Sequence, residues 1–426
     1  MDRLVIEGGY RLHGEVTVSG AKNAALPIMT AALLAETPSI IHNVPDLRDT
    51  RMMAEVLRAL GAKVEFENST LKVDPSTFSI TEAPYDMVRK MRASVYVLAP
   101  MVTRLGEARV SLPGGCAIGA RPIDLHLRGL ESLGADVKLE HGYIVARNEK
   151  MQGGEVLLTG PNGSSVGATA NTLMMAVLTP GTTTIRGAAK EPEIIDLVGY
   201  LKAMGAQIEG AGTSTLKIEG VSKLKGVKYS IIPDRIEAGT FFAAAAITEG
   251  DCRVHGAKLD QLESVIDKMG EMGVYISAEN GSVRVACDGP PRAASFRTLP
   301  YPGFPTDMQA QFMALLCLAD GQSVITETIY PDRFIHVSEF VRMGAKVTLS
   351  PGQAIVQGVP KLSGAPVMAS DLRASAALVV AGLAADGVTD IHRVYHIDRG
   401  YERIEEKLQG LGANIRRVQT PRPVMD

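Results

Sequence analysis

The sequence predicts a mixed α/β (α+β) protein assembled from six copies of one unit of helices and strands. Three observations predict it. A Leu/Met-Gly-apolar triplet recurs six times, with glycines at 61, 134, 205, 273, 344 and 412, at intervals of 68–73 residues. Each glycine closes a segment with helical spacing of apolar residues and opens a short alternating run. An Ala-rich apolar segment recurs in step with it, ends in a turn and enters a run rich in β-branched residues.

The elements follow in order. Residues 52–60 carry the helical period, Gly61 stops it, and Lys63-Val64-Glu65-Phe66 alternates as a strand does. Glycine suits the stop because it enters the left-handed region without a Cβ clash. The Ala-rich segments are 31–36 before Ser39-Ile40-Ile41, 102–106 before Arg109-Val110, and 176–181 before Thr183-Thr184-Ile185. In the second half they are 246–250 before Cys252-Arg253-Val254, 317–321 before Ser323-Val324-Ile325, and 382–387 before Thr389-Asp390-Ile391. The unit reads as helix, strand, helix, strand, strand. Six units split three and three at a boundary near residue 230, giving one domain over 22–232 and a second over 1–21 plus 233–426. The first twenty residues read as a strand pair that completes the second domain.

Composition limits the function. The 426 residues carry 44 Lys+Arg against 47 Asp+Glu, a net charge of −3, so no global field favours nucleic acid or an anionic membrane. Any anion site must be a local cluster. Aromatic residues make up 5% and Trp is absent, which leaves few stacking surfaces. Cys116, Cys252, Cys287 and Cys317 form no CxxC pair and no metal spacing with the eight histidines, so neither a disulfide framework nor a metal site is expected. The N-terminus lacks a signal-peptide pattern, and the longest apolar segments, 241–247 and 374–385, fall short of the roughly 18 residues of a membrane span. A soluble protein of the reducing cytoplasm is expected; its oligomeric state is left open.

The Ala-rich helices begin with polar residues: Lys22-Asn23, Arg92-Ala93-Ser94, Ser165-Val166-Gly167, Asp234 to Glu237, Thr306-Asp307 and Asp371-Leu372-Arg373. Helix N-termini present free N–H groups and the positive end of the helix dipole, so gathered ends with added cations suit phosphates and carboxylates. Plain N-capping accounts equally for the Ser and Asp positions. It accounts poorly for Lys22, Arg92 and Arg373. The stretch from Ser111 to His126 packs three glycines and two prolines around Cys116 and Arg121, and reads as an exposed loop on which Cys116 serves as nucleophile or general acid. The other three cysteines read as inert small apolar residues. Arg333 follows the turn Tyr330-Pro331-Asp332 and Arg399 sits just before the last helix; each alone is a weak signal.

Ser19-Gly20-Ala21-Lys22-Asn23-Ala24-Ala25-Leu26-Pro27, the run from Pro113 to His126, Phe304-Pro305-Thr306-Asp307-Met308-Gln309 and His396-Ile397-Asp398-Arg399-Gly400-Tyr401 closely resemble the UDP-N-acetylglucosamine 1-carboxyvinyltransferases, members of the enolpyruvyl transferase family. The similarity runs in order from about residue 1 to 416. It implies two inside-out α/β barrels with the active site in the cleft between them, and a loop that closes over it. It implies transfer of the enolpyruvyl group of phosphoenolpyruvate to the 3-hydroxyl of UDP-N-acetylglucosamine, the committed cytoplasmic step of peptidoglycan synthesis, with no metal or organic cofactor.

By the same resemblance, Cys116 protonates C3 of the vinyl group and reacts with epoxides such as fosfomycin, while Asp307 is the base at the sugar hydroxyl. Lys22, Arg121 and Arg399 match phosphate-side cations, and Arg333 and Arg373 match the carboxylate side. Asn23 bonds the intermediate. Arg92, Arg121, Pro122, Ile123, Asp124, Leu125, Ser165, Val166, Gly167, Asp307 and Ile329 match nucleotide-sugar positions, and Asp371 lies near the site. Forked guanidinium groups fit both anions of the substrate. Two features depart from the family's pattern: the approach Pro161-Asn162-Gly163-Ser164-Ser165, and Ala170 where an acidic residue is common. Two other readings are a 5-enolpyruvylshikimate-3-phosphate synthase, which shares the fold but lacks the cysteine loop, and a non-catalytic repeat scaffold.

Overall fold

The computed structural model describes residues 2–83, 85–88, 91–112, 123–161 and 163–419, and the backbone alone of Arg92. The described chain falls into two compact units, one of residues 2–19 with 233–419, the other of residues 20–112 with 123–232. Each has its own hydrophobic core.

Six inner helices carry the Ala-rich segments: α1 (Lys22–Ala31), α2 (Leu98–Leu105), α3 (Val166–Ala176), α4 (Arg235–Ile247), α5 (Gln309–Cys317) and α6 (Leu372–Ala384). They are apolar nearly all round because they are enclosed nearly all round; α4 is buried at all 13 positions. The small Ala side chains let α4, α5 and α6 pack directly on one another in their unit. The strands instead alternate between buried and exposed residues, as in the e-B-e-B-e pattern of Gln353–Gln357. Helices therefore fill the interior and sheets face the solvent, the inside-out arrangement the resemblance implies.

Each unit has three four-stranded sheets of one design. In the middle sheet of the 20–232 unit, Glu82–Ala83 runs parallel to Glu107–Ser111, which pairs antiparallel with Tyr143–Asn148, which pairs antiparallel with Ala135–Glu140. The repeat therefore has six elements, not five. Sequence analysis missed this short strand before each of α2 to α6 because two or three residues carry no period.

The ends of each unit close by exchange. Lys228–Ser230 is the parallel neighbour of Ser39–His42 and completes the first sheet of its unit. The two N-terminal strands do not pair with each other, contrary to the strand-pair expectation. His13–Thr17 joins Asp251–His255 in parallel, while Asp2–Glu7 lies between Val388–His392 and Asn414–Gln419. All six repeat glycines have φ between +88° and +112°, as the helix-stop reading requires. At Gly134 a Cβ would also meet the Lys150 carbonyl oxygen at 2.2 Å.

Candidate active site

Three of the polar helix starts are caps. Ser165 Oγ accepts from Ala168 N at 3.2 Å. Asp234 accepts from the amides of Ile236 and Glu237, and Asp371 from those of Arg373 and Ala374. The other starts differ. Lys22 opens α1 without a side-chain cap, and its buried ammonium pairs with buried Asp49 at 2.8 Å. Asp307 sits in a 3-10 turn, Thr306–Met308, that runs into α5. Asn23 is half-buried in the first turn of α1.

The densest cluster lies where α5 and α6 begin. Arg333 Nη1 donates to Asp307 Oδ1 at 2.9 Å, and Arg373 Nε donates to Oδ2 at 3.3 Å. Two guanidinium groups, with side chains 5% and 2% exposed, thus converge on one carboxylate that is 27% exposed. Burial by itself would lower the pKa of both arginines; for Arg373 the neighbouring Tyr401, Asp307 and Asp234 reverse this, and for Arg333 Asp307 and Asp371 do. Arg373 Nη1 and Nη2 make no hydrogen bond. Nη2 still lies 3.2 Å from Asp307 Oδ2 as an ion pair, so Nη1 is the donor of this fork placed to take a second carboxylate.

Glu327 organises the other wall. Its Oε1 accepts from Thr298 Oγ1 and from the amides of Ile329 and Tyr330, and its Oε2 from Thr306 Oγ1. Arg333 also donates to Thr306 Oγ1 at 3.0 Å. One buried carboxylate therefore joins the Ile329 loop to the Asp307 turn. Arg399 is half-buried and ends the 3-10 turn Val394–Arg399, whose Asp398 takes a two-pronged contact from Arg417.

In the other unit the helix Asp124–Ser132 begins within the stretch read as a loop. The exposed-loop expectation fails there, since Leu125 and His126 are buried. Asn171 Nδ2 donates to Val95 O and contacts His126 Nδ1, both at 3.0 Å. That contact sets the ring against α3, where a Cβ on Gly167 would lie 2.8 Å from His126 Nε2. Thr159–Gly160 pairs with Gly163–Ser164 just before Ser165, and Leu125 packs on that hairpin. Ile123, Asp124, Leu125, Ser165, Val166 and Gly167 thus share one end of this unit. Ala170, the other departure, is buried in α3. Cys116, Arg121, Pro122 and Asn162 lie outside the described residues, as does the side chain of Arg92.

The described cysteines are buried, and burial pushes the thiols of Cys252 and Cys317 up to about 12 and raises that of Cys287. They are poor nucleophiles at neutral pH. Among the described residues no cluster of His, Cys, Asp or Glu is arranged to hold a metal, and no helix is long and apolar enough to cross a membrane.

His336, beside Asp371 and Arg333, is 2% exposed and its Nε2 has no hydrogen-bond partner. Burial pushes its pKa down to about 4, with Arg333 adding to the shift and Asp371 opposing it. The ring is neutral in the folded chain, while the unfolded group titrates near 6.5. Stability from this group is therefore complete above pH 6.5 and is lost as pH falls through 4. His336→Gln should lose roughly 2 kcal/mol less than the parent between pH 7 and pH 4.5 in urea unfolding; an equal loss in both proteins would refute the assignment.

A family model described as EPSP synthase (3-phosphoshikimate 1-carboxyvinyltransferase) matches residues 6–408. The UDP-N-acetylglucosamine 1-carboxyvinyltransferase of Trichlorobacter lovleyi is 55% identical over 99% of this chain and 100% of its own length. That of Desulfosudis oleivorans is 57% identical over 98% and 100%. The chain belongs to the UDP-N-acetylglucosamine 1-carboxyvinyltransferase family. Among solved structures, the enolpyruvyl transferase NikO from Streptomyces tendae matches with a TM-score of 0.89 and 29% identity over 99% of both chains. EPSP synthase from Acinetobacter baumannii shares the fold, with a TM-score of 0.74 at 19% identity over 98% of this chain and 100% of that one.

Family membership leaves the residue roles to chemistry. Sequence reasoning named Asp307, Arg333, Arg373 and Asp371, and these lie together in one unit. It missed Glu327, whose only signal is its position directly after the strand Gln322–Thr326, and it missed the packing of His126 with Asn171.

Proposed function

We propose that this chain transfers the enolpyruvyl group of phosphoenolpyruvate to the 3-hydroxyl of UDP-N-acetylglucosamine and releases phosphate. The observation that carries the reading is the pair of buried arginines that converge on Asp307, in a chain 55% identical over its length to a named carboxyvinyltransferase. The sugar oxygen bonds to C2 of the vinyl group and gives its proton to Asp307, while C3 gains a proton from Cys116. The resulting tetrahedral ketal gives a C3 proton back to the Cys116 thiolate as its C2–O bond to phosphate breaks, which restores the double bond, and the departing phosphate takes the proton from Asp307. Charges balance at each step without a metal or organic cofactor.

Arg333 and Arg373 hold the carboxylate, and Lys22, Arg121 and Arg399 hold the phosphate. Asn23 bonds the ketal. Arg92, residues 121–125, residues 165–167, Asp307 and Ile329 hold the nucleotide sugar, with Asp371 capping α6 beside them. These residues come from both halves of the chain, so the reaction requires both halves to act on one substrate pair. The product feeds peptidoglycan synthesis in the cytoplasm, and Cys116 makes the chain a fosfomycin target.

The test is to mix the purified chain with phosphoenolpyruvate and either UDP-N-acetylglucosamine or shikimate 3-phosphate. Mass spectrometry should find the enolpyruvyl product, with matching phosphate release, for the sugar nucleotide alone. Turnover of shikimate 3-phosphate alone would favour the sister activity that the family model names. Turnover of neither acceptor would favour a scaffold.

A further inference from the structure

We propose that Tyr401 is a positioning residue that sets Arg373, beside Asp307, for the carboxylate of phosphoenolpyruvate; this rests on the function proposed above. The side chain is 1% exposed and stands among the starts of three inner helices. Its Oη lies 2.9 Å from Thr240 Oγ1 on α4 and 3.2 Å from Gln311 Nε2 on α5. Arg373 of α6 lies over its ring face, with Cζ 5.4 Å from the centroid.

Counting hydrogens fixes the direction of these bonds. Thr240 Oγ1 spends its one hydrogen on Ile236 O at 2.8 Å, so the phenol donates to Thr240. Gln311 Nε2 donates to Asp307 O at 3.0 Å, and its second hydrogen is shared between the phenol oxygen and Thr240 Oγ1, each 3.2 Å away. Burial raises the phenol pKa, so this donor keeps its proton.

One hydroxyl thereby couples α4 to the Asp307 turn. The ring whose tilt it sets carries Arg373, since a guanidinium is drawn to an aromatic face. That face adds to the hold of the ion pair, in which Nη2 lies 3.2 Å from Asp307 Oδ2. Tyr401 N also donates to Ile397 O at 3.0 Å, within the turn that ends at Arg399. Tyr401 therefore links Arg373, through its ring, and the turn that ends at Arg399, through its backbone, and both arginines are assigned to phosphoenolpyruvate, while the nucleotide-binding residues 165–167 lie in the other unit.

Tyr401→Phe keeps the ring and removes the hydroxyl. KM for phosphoenolpyruvate should rise about tenfold, as for loss of one buried hydrogen bond, with kcat falling severalfold and the Kd for UDP-N-acetylglucosamine unchanged. Tyr401→Leu, which removes the ring face as well, should raise that KM further. If Tyr401→Phe proves unfolded, Thr240→Val withdraws the phenol's acceptor and should give the same selective shift. A lowered Tm with both substrates' constants unchanged, or shifted alike, would make the role structural and overturn the proposal. An inactive parent chain would overturn this proposal and the function with it, whereas an active parent with an unshifted Tyr401→Phe would overturn this one alone.

Discussion

Replacing Asp307 by Asn should abolish most turnover and loosen the fold at the same place. As the base proposed at the sugar hydroxyl, Asp307 should be worth on the order of 10²–10⁴ in kcat. As the carboxylate between Arg333 and Arg373, it neutralises two guanidinium groups that are almost wholly buried. Stranding a buried charge costs about 3 kcal/mol. Urea unfolding should therefore show a loss of that order in the Asn variant. Phosphoenolpyruvate supplies a carboxylate of its own, so it should raise the Tm of the Asn variant more than that of the parent. A variant within tenfold of parental kcat would remove Asp307 from the chemistry. Unchanged stability would mean that the arginines do not depend on it.

That double burden was only half legible in the sequence. The fold was largely legible because glycine at a helix stop is a local requirement, and the chain meets it six times at φ near +90° to +110°. The buried Ala-rich helices were legible for the same reason, since a helix enclosed on all sides must be apolar on all sides. The short strand before each of α2 to α6 was not, because Glu82–Ala83 and Phe296–Arg297 are two residues long and owe their existence to a parallel neighbour formed after the helix. The closing strands are harder still: Asp2–Glu7 pairs with residues almost four hundred positions away.

At the site, residue types pointed to anions, and Arg333, Arg373 and Asp307 were named. What no pattern showed is that these arginines hold Asp307. The pairing spans residues 307, 333 and 373, and three separate repeat elements must fold before it exists. The roles of Glu327 and Tyr401 were hidden for a related reason. Each acts through hydrogen bonds to other elements, and a lone Glu after a strand or a lone Tyr after a turn looks like any other. Ser165, Asp234 and Asp371 show the opposite case, where the plain capping role is met in full and a further role must be argued from the substrate.

Removing the thiol at position 116 should have an effect as large as removing Asp307, with a different signature. The vinyl C3 is a weak base, so its protonation needs a positioned acid that still holds its proton near pH 7. An ordinary thiol does so, titrating near 8.5. Cys116→Ser puts a much weaker acid in its place and should lower kcat by on the order of 10²–10⁴. Fosfomycin should add once per parent chain and not at all to the variant, because Cys252, Cys287 and Cys317 are buried with raised thiol pKa values. Cys116→Asp separates the two uses of the sulfur. A carboxylic acid can deliver a proton but opens no epoxide at a useful rate, so turnover should persist without an adduct. The acid form of a carboxyl group declines above about pH 4. The Asp variant should therefore speed up as pH falls from 7 to 5, a range over which an ordinary thiol keeps its proton and the parent should stay flat. A fully active Ser variant, or a fosfomycin adduct on any of the three buried cysteines, would take the proton donor away from Cys116.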